Sequence, residues 1–212
     1  VAVVEIDHPP VNAISTPVAD ALLAAFGDLA QLSDTRAILV ICAGRTFVAG
    51  ADVKELERAA RGEGGGPPDI HDLLRAIEDA QAPVIMALHG TALGGGVELA
   101  MAGRYPVAAA GTPLGMPEVT LGIIPGAEGT QRLPRLVGIE QAIRLLVTGQ
   151  PVDAEEALRI GLIDRVIPGD LREGALAFAN GVAARGGPHP KTRDRQDRLA
   201  SPQTAAALAD AG

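Results

Sequence analysis

The chain opens with Val1-Ala2-Val3-Val4-Glu5-Ile6, an alternating stretch that predicts a strand. Behind it, Val18, Leu22, Ala25, Phe26 and Leu29 recur at helical spacing. Ser15 is a candidate N-cap for that helix, and Pro17 suits its first turn. Residues 37–43 and 83–89 are continuous apolar runs of strand length, the pattern of strands covered on both faces. Between them the pattern predicts a helix from near Asp52 and a glycine- and proline-rich surface loop over 62–68. A second helix is predicted over 70–80, with Ile70, Leu73, Leu74 and Ile77 on one face. Strands alternating with helices imply an α/β architecture. The second half reads differently, as helices over 139–148, 154–160 and 170–184 joined by short turns such as Gly149-Gln150-Pro151. Gly186-Gly187-Pro188-His189-Pro190 then breaks regular structure, and residues 205–208 restart a helix without a convincing core face. The expected division is a folded unit over 1–184, with a linker or the start of a following segment over 185–212.

Composition narrows the classes of function. The 212 residues suffice for one domain with a real core, and an apolar share of 47% is globular rather than disordered. No apolar run reaches the ~20 residues of a membrane span. No basic stretch or signal-type apolar region precedes the first strand, so an intracellular protein is expected. Arginine outnumbers lysine sixteen to two, a bias of GC-rich bacterial genomes, which points to bacterial cytoplasm with the peroxisome as the alternative. A net charge of −8, one Tyr and no Trp argue against nucleic-acid binding. The basic end (Arg185, Lys191, Arg193, Arg195, Arg198) reads as a solvated segment. His8, His71, His89 and His189 are scattered without metal-ligand spacing, so no metal is expected. The single cysteine, Cys42, lies in an apolar run and reads as a buried, inert thiol.

Three segments carry chemistry. In Ala87-Leu88-His89-Gly90-Thr91-Ala92-Leu93-Gly94-Gly95-Gly96-Val97-Glu98, a buried strand runs through three glycines into a helix. The first amides of a helix lack internal partners and stabilise an anionic oxygen. Glu98 stands about one turn from Gly95 on the same face. The glycines serve equally well as helix–strand packing. In Ala49-Gly50-Ala51-Asp52-Val53-Lys54-Glu55, small residues again precede a helix, and Ala51 is a second candidate amide donor. Asp52 reads either as a site residue or as an N-cap, and Lys54 either as exposed or as a phosphate contact. Glu118 follows Pro117 in apolar, glycine-rich surroundings, where desolvation favours the protonated form required of a general acid. An exposed loop carboxylate is the competing reading. No Gly-Lys-Ser/Thr follows residues 94–96, which argues against a nucleotide phosphate loop.

Together these segments resemble the enoyl-CoA hydratase/isomerase (crotonase) family over roughly residues 1–168. The resemblance rests on His8-Pro9-Pro10-Val11-Asn12-Ala13-Ile14, on the 49–55 and 94–100 segments, and on Pro117-Glu118-Val119-Thr120-Leu121-Gly122. Pro125-Gly126-Ala127-Glu128-Gly129-Thr130-Gln131-Arg132-Leu133-Pro134-Arg135 and Thr148-Gly149-Gln150-Pro151-Val152-Asp153-Ala154-Glu155-Glu156-Ala157 also fit. Pro10-Val11-Asn12, Leu88-His89-Gly90 and Gly187-Pro188-His189-Pro190 look more like the hydratase part of a bifunctional fatty-acid β-oxidation enzyme, in which a 3-hydroxyacyl-CoA dehydrogenase part follows.

The resemblance implies a spiral of β-β-α turns with a helical carboxyl end. It implies an acyl-CoA substrate hydrated at its 2,3-double bond, with Glu98 and Glu118 as acid/base carboxylates and the amides of Ala51 and Gly95 as the oxyanion hole. Substrate contacts are implied along Ala49, Ala51, Asp52, Val53, Lys54, Gly94, Gly95, Pro117 and Gly126. No resident cofactor is expected, coenzyme A being part of the substrate; NAD enters only with a following dehydrogenase part. The expected partner is a second copy of the chain or that attached part, with no nucleic acid and no membrane. The rival readings are 3,2-enoyl-CoA isomerisation, also as a second activity, and a non-catalytic acyl-CoA-binding module.

Overall fold

The computed structural model describes residues 1–63 and 68–199. In chain order these form β1 (Ala2–Ile6), α1 (Thr16–Leu29), β2 (Ile38–Cys42), α2 (Val53–Ala60), α3 (His71–Asp79), β3 (Val84–Leu88), β4 (Ala92–Leu93) and α4 (Gly95–Ala102). There follow β5 (Tyr105–Ala109), β6 (Leu114–Gly115), a 3-10 turn (Pro117–Leu121), α5 (Gly129–Val137), α6 (Ile139–Thr148), α7 (Ala154–Ile160), β7 (Arg165–Ile167) and α8 (Leu171–Arg185). A last 3-10 turn covers Thr192–Asp194. Residues 64–67 of the expected glycine-rich loop and the expected helix restart at 205–208 lie outside the described residues.

A parallel sheet runs in the order β1-β2-β3-β5-β7, and β4 pairs in parallel with β6 in a small second ladder. The turn β3–β4–α4 therefore stacks on the turn β5–β6–3-10, with Met86 beside Pro106 in one ladder and Leu93 beside Gly115 in the other. This is the α/β spiral that the resemblance implied. β2 and β3 are apolar at every position because alternate residues point into different cores. Val40, Val84 and Met86 join a core with α1, α3 and α4, whereas Leu39, Ile85 and Ala87 pack with Ala175 and Ala179 of α8.

Two helices start on a side-chain cap. Asp153 and Asp170 accept the amides of Glu156 and Glu173, each at 2.8 Å, and so start α7 and α8. Ser15 occupies the N-cap of α1, but its hydroxyl makes no capping bond. Glu55 of α2 takes over, with Oε1 accepting the Thr16 amide at 3.3 Å. A tertiary contact has replaced the local cap. The sequence pattern passed over β4, β6 and β7, which are too short for periodicity to register. It also passed over β5, which carries Pro106, and α5, which carries Pro134.

Burial pushes the Cys42 thiol up to about 12, the nearby Glu5 charge adding to the effect, which suits an inert core thiol. Beyond α8 the chain turns back over the body. Arg104 Nη1 donates to the His189 carbonyl at 2.7 Å, and Lys191 and Arg193 both pair with Asp79. These two members of the basic stretch thus have acidic partners. Among the described residues, no helix is long and apolar enough to cross a membrane.

Candidate active site

One cleft of about 390 Å³ gathers the chemistry-bearing segments, which lie far apart in sequence. Its walls are mostly apolar, from Ile14, Leu93, Leu121, Ile123 and Ile124. Glu98, Glu118, Asp69 and His71 are its ionisable members.

The first wall is the 49–51 segment. Ile14 donates to the Gly50 carbonyl at 2.9 Å and accepts the Asp52 amide at 3.1 Å, forming an isolated parallel bridge opposite Ala51. In such a bridge the intervening residue's own N–H faces away from its partner. The Ala51 amide has no acceptor among the described residues. Asn12 holds this corner together from a left-handed backbone at φ 51°. Its Nδ2 donates to the carbonyls of Ala43 and Thr46, both at 2.9 Å, and its Oδ1 accepts the His8 amide at 2.7 Å.

The three glycines at the start of α4 do three different things. Gly94 takes φ +50°, and a Cβ there would lie 2.9 Å from Glu118 Oε1. A Cβ on Gly96 would fall 2.0 Å from the Val48 carbonyl oxygen, so that glycine serves packing. At Gly95 a Cβ would meet only ordinary contacts, 3.5 Å from Ile14 Cδ1 and 3.8 Å from the Ala51 nitrogen. Gly95 begins the helix, and its amide has no acceptor among the described residues. Two free amides, of Ala51 and Gly95, therefore meet at one spot in the cleft wall.

The carboxylates stand in unlike environments. Glu98, on α4, is 3% exposed, and its Oε1 accepts the amides of Ala127 and Gly129, each at 2.8 Å. Burial raises its carboxyl above the ordinary range, while those two amides and the His71 charge oppose the rise. Glu118 sits in the first turn of the 3-10 segment, opposite Gly94, because Gly94 donates to the Gly115 carbonyl at 2.9 Å beside the β4–β6 ladder. Its Oε2 has no hydrogen-bond partner among the described residues. Burial, with the Glu98 charge adding to it, pushes the Glu118 carboxyl up to about 7.

Of the positions expected to meet substrate, Ala49, Ala51, Gly94, Gly95, Pro117 and Gly126 line the cleft. Asp52 does not. Its Oδ1 accepts the Lys54 amide at 2.8 Å, capping the helix that Val53 begins, and the Lys54 side chain is exposed outside the cleft. Sequence reasoning missed Ala127 and Gly129 as the amides that hold Glu98, although their segment was among those carrying the resemblance. It also missed His71, which lines the cleft with Asp69 against its ring Nδ1. Nothing in the spacing of His71 marked it out.

The family model described as enoyl-CoA hydratase/isomerase matches residues 1–191. A peroxisomal bifunctional enzyme of Danio rerio is 44% identical over 181 residues, covering 84% of this chain and 24% of that protein. The peroxisomal fatty acid beta-oxidation multifunctional protein AIM1 of Arabidopsis thaliana is 38% identical over 212 residues, covering 98% of this chain and 29% of its own length. The chain thus spans about a quarter of the length of these curated relatives. The crystal structure of an enoyl-CoA hydratase from Bacillus anthracis superposes with a TM-score of 0.75 at 36% identity, covering 86% of this chain and 73% of that one. With its model match, its identities to these relatives and its spiral of parallel turns, the chain belongs to the enoyl-CoA hydratase/isomerase family.

Proposed function

We propose that this chain is an enoyl-CoA hydratase, adding water across the 2,3-double bond of 2-enoyl-CoA thioesters in fatty-acid β-oxidation. The observation that carries the reading is the pairing of two buried carboxylates in unlike environments with two free amides on one cleft wall.

The thioester oxygen sits between the Ala51 and Gly95 amides, which stabilise the charge it acquires as the acyl group becomes enolate-like. Removing one such donor typically costs ~3–4 kcal/mol in the barrier. Two amides on one of its oxygens oppose the upward push of burial on Glu98, and in its ionised form it takes a proton from the attacking water. The water oxygen bonds to C3, and the π electrons shift toward C2 and the thioester carbonyl. Glu118, whose carboxyl burial pushes up to about 7, delivers its proton to C2 from its protonated form, which is well populated near neutrality. One water is consumed, and the two carboxyls have exchanged protonation states until solvent restores them. None of these steps calls on a metal or a redox cofactor.

3,2-Enoyl-CoA isomerisation needs no water at C3: a proton leaves C2, the π electrons shift from C3–C4 to C2–C3, and a proton returns at C4. We assign it as a second activity of the same cleft to Glu118, whose ionised form takes the C2 proton and returns it at C4. The attached dehydrogenase part, its NAD and the carrying organism's compartment belong to the same proposal. Support for a further attached part comes from the relatives' names, a bifunctional enzyme and a multifunctional protein, and from the share of their length that this chain spans. The test is loss of the conjugated thioester absorbance when crotonyl-CoA is added to purified protein. A constant absorbance at micromolar protein overturns the reading.

A further inference from the structure

Glu128 takes a left-handed backbone at φ 69°, although it is not a glycine. Such a conformation costs a non-glycine residue free energy and persists only where the surroundings impose it. The Glu128 carboxylate is held by Arg132, one helical turn on. Its Nε lies 2.9 Å and its Nη2 2.7 Å from Glu128 Oε2, and its Nη1 lies 2.8 Å from Glu78 Oε1. Arg132 is 2% exposed and Glu78 is fully buried. Glu78 is fixed in turn by the Arg193 amide at 2.9 Å, and its own carbonyl accepts Arg104 Nη2 at 2.6 Å.

The strained residue sits between two functional amides. A left-handed residue following a right-handed or extended one turns the N–H groups on either side of it into the same concavity, where an anionic oxygen binds. The N–H groups flanking Glu128 are those of Ala127 and Gly129, and the oxygen they share is Glu98 Oε1.

We infer that Arg132 is a positioning residue for Glu98, anchoring Glu128 in the left-handed conformation that aims both amides at the Glu98 carboxylate. The inference rests on the hydratase reading above. Arg132 touches neither Glu98 nor the cleft, and it acts through the backbone on either side of Glu128.

The test measures kcat and KM for crotonyl-CoA hydration in Arg132→Met, Glu128→Ala and Glu128→Gly, and in the double variant Arg132→Met/Glu128→Gly. Circular dichroism confirms that each is folded. Arg132→Met is expected to lose at least about tenfold in kcat with KM within about threefold, since the binding walls are untouched. Glycine adopts the left-handed backbone without an anchor, so the double variant should regain most of the lost kcat while remaining less stable than wild type. A purely structural role predicts no such recovery, and a double variant as slow as Arg132→Met overturns the inference. Where Arg132→Met does not fold, the Glu128 pair decides, because both variants keep the contact between Arg132 and Glu78. Glu128→Ala should then be at least about fivefold slower than Glu128→Gly, and equal rates overturn the inference. A wild-type chain without turnover overturns the hydratase reading and this inference together, whereas wild-type turnover with unaffected variants overturns this inference alone.

Discussion

Glu98 Oε1 accepts the Gly129 amide at 2.8 Å across a sequence separation of 31, and a Cβ on that glycine would stand 2.7 Å from the same oxygen. The close approach requires glycine at 129. Gly129→Ala would also crowd Met116 Cε at 2.6 Å and Pro125 Cβ at 2.8 Å. Met116 Cε is the end of a flexible side chain and can shift, but Pro125 Cβ belongs to a rigid ring fixed to the backbone, so we expect a stability cost of about 3 kcal/mol, the upper end for an overpacked core site. Displacement of the carboxylate should lower kcat by at least about tenfold. Urea denaturation alongside steady-state kinetics separates the two effects, and a variant with wild-type kcat would show that Glu98 does not need this amide.

Glu98→Gln keeps an acceptor oxygen for both amides and changes little in volume, so the fold should survive. It cannot take a proton from water. Hydration should fall by about 10²–10⁴, the usual contribution of a general acid or base. Isomerisation of a 3-enoyl-CoA should suffer less. A parallel loss of both activities at an unchanged melting temperature would contradict the division of roles between the two carboxylates.

Glu118 gives a prediction in pH. Its carboxyl is pushed up to about 7 from an ordinary value of 4.5, so the folded state favours the protonated form. Its contribution to stability is fully present below about 4.5 and is lost as pH rises through about 7. Glu118→Gln, which cannot ionise, should match wild type at pH 5 within a few tenths of a kcal/mol. At pH 8 it should exceed wild type by about 1–2 kcal/mol, less than full proton linkage gives because the cleft admits water. Urea midpoints at the two pH values provide the measurement, and a wild-type advantage at pH 8 would reverse the assigned sign. The same variant should abolish hydration and isomerisation alike. In the wild type, kcat should fall above about pH 7, with an apparent pKa shared between two interacting carboxyls.

Gly95 and Gly96 are neighbours with opposite expectations. Gly95→Ala adds a Cβ with only ordinary contacts and no left-handed φ to strain, so its stability should stay within about 1 kcal/mol of wild type. That Cβ stands 3.8 Å from the Ala51 nitrogen, beside the proposed position of the thioester oxygen, and kcat should drop about 10²–10³. Gly96→Ala would place a Cβ 2.0 Å from the Val48 carbonyl oxygen, which is backbone and cannot yield cheaply. Expression and melting temperature should therefore collapse before activity can be compared. Equal melting temperatures for the two variants would contradict this assignment.

By itself the sequence determined the buried strands 38–42 and 84–88, the amphipathic α1 and α3, and the helices from 139 onward. Each of these rests on a local period or a nearby cap. It also marked Glu98, Glu118 and the amides of Ala51 and Gly95, because glycines ahead of a helix and a carboxylate in apolar surroundings are local signals, and the family resemblance reinforced them. Tertiary structure decided the rest. Two-residue ladders are too short to show a period, yet the β4–β6 pair is what brings Glu118 to Gly94. The cap of α1 came from Glu55 rather than Ser15, and Asp52 was used on its own helix rather than on the cleft. The separate duties of Gly94, Gly95 and Gly96 depend on what lies across from each: a carboxylate, an open cleft and a carbonyl. The opposed environments of the two glutamates likewise follow from long-range contacts. Two amides from residues 127 and 129 reach Glu98, whereas no partner among the described residues reaches Glu118 Oε2. A carboxylate's protonation is set by what surrounds it in space, and no spacing along the chain encodes that.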